Sequence, residues 1–547
     1  KNYKFPRVEI SQFARVQATP TSTAPDVVPL LIPIVSPIGP DDKIVRITSL
    51  TEYYDNFGVP SYEDMGVTAI LIMRWLAQGG TIYAYRMVNN SAEAKYTFNR
   101  NISEGKSFSI SFDAKYKGTK YNNINFSITP TSVSSDRYNI KIELPGIKTS
   151  LVGSTKLVEE YSNLQRGSIG KILASSSKIV KNFKFEVTGV LTNEEINEEI
   201  GSTIILEKTN YDDDGFDALN YYEKYESLLV TRQIVDDQPV VEIDDSSTFI
   251  KALMSVNQTP VDMIIDVGFP DTLKYALYKA ASYVIEETER GLLVVFSTYC
   301  FDITPSGNVP IQSDIIEGYN SNISGPIVHT KTLSESEFIE DAYRIGWCAV
   351  FDGYLTLTDN IFGSNDEVFT PLTLPLALNV LYNTQNYSYH RPTAGTTYGR
   401  LNNFKNLNGN GPTTSQKDAL FRNRINYAEK DGDNIDIMTN RTFAHTDSDN
   451  KQTPLDFINN VRVKNKIMRD LSVIMKKYLY EYSDGDTLLK CYTECNSYLN
   501  SWINNKALTS ANVLIELDSE TEEYMYATLT IKFRGTVEYI NLRLVIE

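Results

Sequence analysis

The residues able to carry chemistry are few and widely spaced. The 547-residue chain has three histidines, His329, His390 and His445, far apart and without ligand spacing. A metal or acid–base centre needs such side chains at helical or loop spacing, so each reads as a surface or packing histidine. The four cysteines, Cys300, Cys348, Cys491 and Cys495, are too sparse for a disulfide framework and contain no C-x-x-C pair. Cys491 and Cys495, four apart in a helical pattern, read as two core positions on one face. Gly170-Lys171 suggests a phosphate loop, but that loop needs Gly at 165 and Ser or Thr at 172, where Gln165 and Ile172 stand. Asn210, Asp212, Asp214 and Gly215 match the start of an EF-hand-type loop, yet its twelfth position is Tyr221, not a bidentate carboxylate. An acidic surface turn is the better reading. No G-x-S-x-G elbow or H-E-x-x-H helix occurs. No catalytic residue, cofactor or metal site is expected, and only convergence of distant residues would make one.

The totals point the same way. Hydrophobic residues make up 41% and charged residues 22%, enough to bury sizeable cores in three or four domains at ~150 residues each. Lys+Arg is 52 against Asp+Glu 69, a net charge of -17, which argues against nucleic acid as a partner. Thirty-five tyrosines favour large packed surfaces over acid–base work. Sparse cysteine fits a reducing cytoplasm. No signal peptide is read, and the apolar run 27–38 is broken by Pro29, Pro33 and Pro37, so it suits an edge strand and not a membrane span.

The elements form a sequence of changing rhythm. Residues 1–20 read as an extended arm, with Val8, Ile10, Ala14 and Val16 alternating with charged residues. Residues 19–29 are a Pro/Ser/Thr-rich linker. The stretch 21–91 is α/β: a strand at 30–39, a helix at 49–57 capped by Ser49 or Thr51, a helix at 65–78 stopped by Gly79-Gly80, and a strand at 81–88. Residues 92–242 turn rich in Asn, Ser, Thr, Lys and Tyr, with short alternating runs, and are expected to be an inserted all-β domain. The α/β rhythm returns over 243–380, with helices at 247–255, 271–288 and 334–343 and strands at 261–269, 292–298 and 347–358. The strands on both sides of the insertion are expected to share one sheet.

The C-terminal domain, 381–547, is α+β. A long amphipathic helix spans 456–482, with Phe457, Val461, Met468, Leu471, Met475, Tyr478 and Tyr482 on its apolar stripe. Arg462, Lys466, Arg469, Lys476 and Lys477 fall on the opposite face, a candidate basic surface for an acidic partner. A second helix carries Leu488, Tyr492, Cys495, Leu499 and Trp502 on one stripe. Strands follow at 511–517, 524–534 and 537–546, and in the last Ile540, Leu542, Leu544 and Ile546 point one way.

The order of short motifs resembles the contractile tail sheath family of myophages, R-type tailocins and type VI secretion sheaths. Gly39-Pro40, ITSL (47–50), Phe57-Gly58, LAQGG (76–80) and YRMV (85–88) follow the family's N-terminal progression. AKYKGTKYNNINF (114–126) is similar to a further family segment, and Asp214-Gly215 falls where a DG turn is common. RPTAGTTYGRL (391–401) resembles the family's PAG loop, with Thr393 inserted. RINYAEKDGDNIDIMTNRTF (424–443) matches at Ile425-Asn426 and Arg441-Thr442, while Asn440 stands where Gly is common and the family's Trp is missing. The two-helix, three-strand ending is also similar.

The resemblance implies a non-enzymatic structural subunit in stacked hexameric rings around a tail tube. Its C-terminal sheet would be completed by N- and C-terminal arms of neighbouring copies. Strand addition satisfies an open sheet edge with main-chain hydrogen bonds. From the residues alone, two strands in the subunit's own sheet remain an equal alternative. The implied partners are copies of itself, the tube protein, and baseplate and terminator proteins, with no nucleic acid and no membrane insertion. The implied location is the virion tail, assembled in the host bacterial cytoplasm. The alternatives are another self-assembling protein, such as a baseplate or surface-layer subunit, and an α/β enzyme with a polar cleft at the C-termini of its strands.

Overall fold

The computed structural model describes residues 28–41, 43–88, 93–148, 150–151, 155–200, 207–209, 218–235, 238–255, 259–288, 291–304, 307–313, 347–357, 368–408, 411–443, 453–517 and 525–535. Among them, 31–225 form one compact unit, and 226–535 with 28–30 form another.

The first strand, β1 (Pro29–Ile34), has all six residues buried and belongs to the first unit from Leu31 on. It joins β2 (Ile44–Ile47) and β3 (Thr81–Arg86) in a sheet of order β1-β3-β2. Between β2 and β3 lie α1 (Leu50–Phe57), α2 (Tyr62–Met65) and α3 (Val67–Ala77). Ser49 caps α1, accepting from the Glu52 N–H, while the Glu52 carboxylate accepts from the Thr48 N–H at 2.7 Å. A run as apolar as VTAILIM has no polar face to offer water, so α3 is buried almost all round. It stops at Gly79-Gly80, where Gly79 takes φ +79 and a side chain on Gly80 would strike the Trp75 ring.

Next come β4 (Lys95–Ser103), β5 (Lys106–Ala114), β6 (Asn125–Pro130), β7 (Arg137–Pro145), β8 (Lys156–Gln165), α4 (Ile169–Ser176), β9 (Val180–Thr188), α5 (Asn193–Ile200), β10 (Glu207–Thr209) and α6 (Ala218–Ser227). They make two antiparallel sheets, β10-β4-β5-β9 and β6-β7-β8. Alternation sets their faces: β7 buries Tyr138, Ile140, Ile142 and Leu144 and exposes Arg137, Asn139 and Lys141. The sheets share one core, with the Phe126 ring tilted at 4.9 Å from Phe112 and stacked at 5.8 Å on Phe183. The expectation of an all-β stretch is corrected, because three helices lie in it. Gly170 packs α4 onto β9: a Cβ there would stand 2.6 Å from the Phe183 carbonyl oxygen. That close approach, and not a phosphate, accounts for the glycine before Lys171.

The second unit begins with the hairpin β11 (Val230–Val235) and β12 (Gln238–Ile243), then α7 (Thr248–Met254), capped by Ser247. Its centre is a parallel sheet of order β13-β14-β17-β21. The strands are β13 (Met263–Ile265), β14 (Leu293–Ser297), β17 (Cys348–Phe351) and β21 (Ile425–Asn426), all buried, as parallel strands covered on both faces must be. The helix α8 (Asp271–Thr288) connects β13 to β14. Around the sheet lie the hairpin β15 (Tyr299–Thr304) and β16 (Gly307–Gln312), and the sheet β19-β18-β20, made of β18 (Tyr354–Leu357), β19 (Phe369–Pro371) and β20 (Phe404–Lys405). Then follow α9 (Thr373–Asn386), α10 (Gly395–Tyr398), α11 (Thr414–Arg422), the hairpin β22 (Ala428–Asp431) and β23 (Asn434–Ile437), α12 (Ile458–Met475), α13 (Gly485–Asn504), and the hairpin β24 (Leu508–Leu517) and β25 (Met525–Phe533).

Two further expectations are corrected. The strands on either side of the β-rich stretch do not share a sheet: β1-β3-β2 and β13-β14-β17-β21 are separate. The run 347–358 is two strands, because Gly353 at φ +122 turns the chain out of the parallel sheet into another. The helix expected at 334–343, the loop at 210–215, and both terminal arms lie outside the described residues.

Candidate functional site

An enzyme built on a parallel sheet places its chemistry at the carboxyl ends of the strands. Here Asp266 follows β13, Ser297 ends β14, Asp352 follows β17 and Asn426 ends β21. These are the residue types a catalytic cleft would use. The Asp266 carboxylate, however, is fully occupied. One oxygen accepts from the Gly268 and Phe269 N–H groups at 2.8 and 2.7 Å, and the other from the Ser297 N–H at 2.9 Å and Lys274 Nζ at 2.8 Å. Lys274 Nζ also donates to the Phe269 and Tyr299 carbonyls at 2.9 and 3.1 Å, using all three of its protons. Burial, the largest single influence, lowers the ammonium's pKa, but the charge and hydrogen bond of Asp266 together with Cys300 and Asp271 outweigh it, and Lys274 is held above its usual value. It is therefore a charged brace and not a nucleophile. Cys300 donates to Asp271 at 3.4 Å, and burial pushes its thiol up to about 12, away from thiolate chemistry.

Asp266→Asn is expected to cost ~3 kcal/mol of stability, because it leaves the Lys274 ammonium buried without its counter-charge. A chemical denaturation midpoint reads it. Asp352 gives a second test. Its carboxyl accepts from Thr298 Oγ1 at 2.6 Å, and burial raises its pKa to about 6. The folded value exceeds the unfolded one, so its contribution is complete below about pH 4 and is lost as pH rises through 6. Asp352→Asn is expected to flatten the stability profile across that interval.

The motifs of distant segments meet in space. The Asn426 side chain donates to the Arg441 carbonyl at 2.7 Å and accepts from the Arg441 N–H at 2.7 Å, clasping the main chain. The Arg441 guanidinium lies 4.5 Å from the Phe457 ring centroid, and Asp456 is bridged by Arg424 at 3.2 Å. The 391–401 loop is fastened by the Asn383 amide to the Tyr398 carbonyl at 2.8 Å and the Asn379 amide to the Arg400 carbonyl at 2.9 Å. A Cβ on Gly399 would strike the Ile437 carbonyl oxygen. In the first unit the buried Arg86 guanidinium donates to the carbonyls of Ser36, Gly39 and Lys117 at 2.9, 2.9 and 3.0 Å, which ties the Gly39-Pro40 turn to the YRMV strand.

The expected basic face of the long helix is not a free face. Arg462 is 2% exposed; its guanidinium sits 4.4 Å over the Tyr389 ring and donates to Thr384 Oγ1 at 3.2 Å. Arg469 pairs with buried Asp262, which also accepts from the Tyr389 hydroxyl at 2.9 Å. Lys466 bridges Asp470 at 3.1 Å. Desolvated cations need partners, and this chain supplies them itself. Lys476 and Lys477 are exposed, with Lys477 paired to Glu494. Val461 and Leu471 are buried as expected, whereas Tyr482 is 85% exposed. On α13 the buried stripe is Cys491, Cys495, Leu499 and Trp502, with Tyr492 turned outward. Cys491 and Cys495 are free thiols in the core, as read from their spacing. His390 is held down to about 4 by burial and then by Arg391 and Arg534, so its ring is neutral. Among the described residues no group of three or more His, Cys, Asp or Glu is placed to hold a metal ion. No described helix is long and apolar enough to cross a membrane.

No family model and no curated protein matches the sequence. Solved structures do. The crystal structure of a sheath tail protein from Listeria innocua matches 93% of this chain and 96% of its own, with a TM-score of 0.56 and 12% identity. This chain has the fold of a sheath tail protein. A sheath tail protein from Desulfitobacterium hafniense matches 93% of each chain at a TM-score of 0.46 and 13% identity. The anti-feeding prophage helical sheath in its contracted state matches 99% of each at 0.48 and 11%. At these identities the likeness is one of fold, and of the three the first carries it.

Within the sheath fold, sequence reasoning missed the Asp266–Lys274 brace and the Tyr389–Asp262 hub. Nothing local marks either. Lys274 lies in an ordinary helical pattern, and Tyr389 is one of many tyrosines. The last described element of the sheath fold is the hairpin β24–β25, which buries Val513, Ile531 and Phe533 and exposes Asn512, Thr530 and Lys532. Among the described residues that sheet has two strands. Val8, Ile10, Ala14, Val16, Ile540, Leu542, Leu544 and Ile546 lie outside the described residues.

Proposed function

We propose that the chain is the sheath subunit of a contractile, phage-type tail. The observation that carries this is the sheath fold over nearly the whole chain. It is supported by a carboxyl edge of the parallel sheet whose polar groups the protein uses for itself, which is what a mechanical part needs and a catalyst does not. Subunits assemble as hexameric rings stacked around a tail tube, with baseplate and terminator proteins at the ends. The particle is a virion tail built in the host cytoplasm.

A two-stranded sheet leaves an edge that a further strand can pair with main-chain hydrogen bonds. In this reading such strands come from neighbours: residues 1–20 of one copy and the terminal strand 537–546 of another. The β-rich stretch 92–242 faces outward, and 381–547 forms the inner domain. The extended sheath is metastable. On triggering, subunits rotate and slide into a state with more contact between copies, and the exchanged strands keep the mesh connected. A small gain per subunit, summed over many copies, drives the tube through the host envelope without nucleotide. Negative-stain microscopy of the purified protein tests this. Hollow striated tubes or polysheaths support it; flat sheets, discrete discs or a persistent monomer turn the assignment toward a surface-layer subunit, a baseplate subunit or an enzyme.

A further inference from the structure

The end of α9 and the loop after it carry a ladder of side chains on the surface. Tyr382 is 43% and Tyr387 51% exposed. Their ring centroids are 6.2 Å apart at 71°, and Tyr387 meets Tyr398 at 5.1 Å and 85°. The Arg391 guanidinium lies 5.3 Å from the Tyr398 ring centroid and closes the row. The row is fixed in place. Tyr387 donates its N–H to the Asn383 carbonyl at 2.9 Å, and the Asn383 amide holds the Tyr398 carbonyl. Edge-to-face aromatic contacts stiffen it further. Little ordering cost is left for binding, and Tyr and Arg are the side chains that concentrate binding energy.

Edge-to-face rings leave notches between them. The chain conformation that fits is polyproline II. Its proline rings fill apolar notches, its carbonyls are all unpaired and accept from tyrosine and guanidinium donors, and it is extended before it binds. A proline-containing segment without cationic side chains lies just ahead of the first described residue. TPTSTAPDV (19–27) has Pro20 and Pro25, no lysine or arginine, and Asp26 to oppose Arg391. Twenty-seven residues precede the first described one, Val28. The segment 19–27 joins directly to Val28 and, extended, reaches ~30 Å from it, so the second copy lies alongside.

We propose that the Tyr382–Tyr387–Tyr398–Arg391 ladder docks the Pro-rich segment 19–27 of a second copy of this chain. The inference rests on the sheath reading, in which N-terminal arms cross between copies. It adds the place where the arm is gripped, which sets where residues 1–16 arrive.

Photocrosslinking of the full chain tests it. The Tyr387→p-benzoylphenylalanine variant is assembled from a mixture of light and heavy isotope-labelled protein, irradiated and digested. Crosslinks to residues 19–27 in mixed-isotope pairs are expected. The double variant Tyr387→Ser with Arg391→Ser is expected to raise the concentration needed for assembly about tenfold while leaving the melting temperature unchanged, since both residues are on the surface. Crosslinks to any other segment, crosslinks confined to one copy, or assembly of the double variant at the wild-type concentration would overturn the dock alone. Absence of tubes from the wild-type chain would remove the sheath reading together with it.

Discussion

Removal of residues 1–16 is expected to yield a folded protein that forms no tubes. Both described cores are complete without this segment: the first unit closes around Phe112, Phe126 and Phe183, and the second around the four parallel strands. What the deletion removes is the strand that Val8, Ile10, Ala14 and Val16 would add to a neighbour's β24–β25 hairpin. Each main-chain hydrogen bond lost contributes ~0.5–1.5 kcal/mol, so four or five of them weaken each subunit contact by orders of magnitude. Light scattering on a sizing column should report a monomer, with circular dichroism and melting close to the intact chain. Tubes forming at the intact chain's concentration would show that the arm does not join the copies.

Arg462→Glu is the second large effect. Had the basic face pointed at a tube or a neighbour, the substitution would alter assembly and its salt dependence while leaving the monomer intact. The structure places Arg462 in the interior, against Tyr389 and Thr384, close to the Asp262–Arg469 pair. A carboxylate there is buried without a partner and loses the cation–π contact, so a destabilisation of ~4–5 kcal/mol is expected. Lys476→Glu, on an exposed residue, should change stability by no more than ~0.5 kcal/mol. Denaturant midpoints of the two variants, compared with the parent, measure the contrast. Equal midpoints would mean that the helix face is open after all.

The contrast between these two residues also marks what was legible in the sequence. The helix α8 is legible end to end, β3 and β14 to within two residues, and the core positions Cys491 and Cys495 as read, because their surroundings are apolar and periodicity reports apolar burial directly; β13 is legible in place but not in length, since only Met263–Ile265 of the run 261–269 is strand. The α12 helix is legible as a helix, but of the cations on its polar face Arg462 is turned into the interior while Lys476 and Lys477, just past its end, are exposed. The rule that charged residues face water holds only when the chain offers no buried partner, and Tyr389 and Asp262 come from distant parts of the sequence. The helices α4, α5 and α6 were lost among short alternating strands, although Ile196 and Ile200, four apart in NEEINEEI, carried a helical signal. Gly353 ended a strand inside a continuous apolar run, a break set by a backbone angle that apolar patterning does not report. The sheath motifs were legible as an order of residues. In the structure they are contacts: Asn426 clasps Arg441, and Arg86 grips the Gly39 turn.

The central claim is that copies of this chain complete one another's β-structure in a helical sheath. Cryo-electron microscopy of tubes assembled from the intact protein tests it most directly. The account predicts residues 1–16 of one copy and 537–546 of another hydrogen-bonded in strands beside the β24–β25 hairpin of a third. A map in which both chain ends pair only within their own molecule would contradict it.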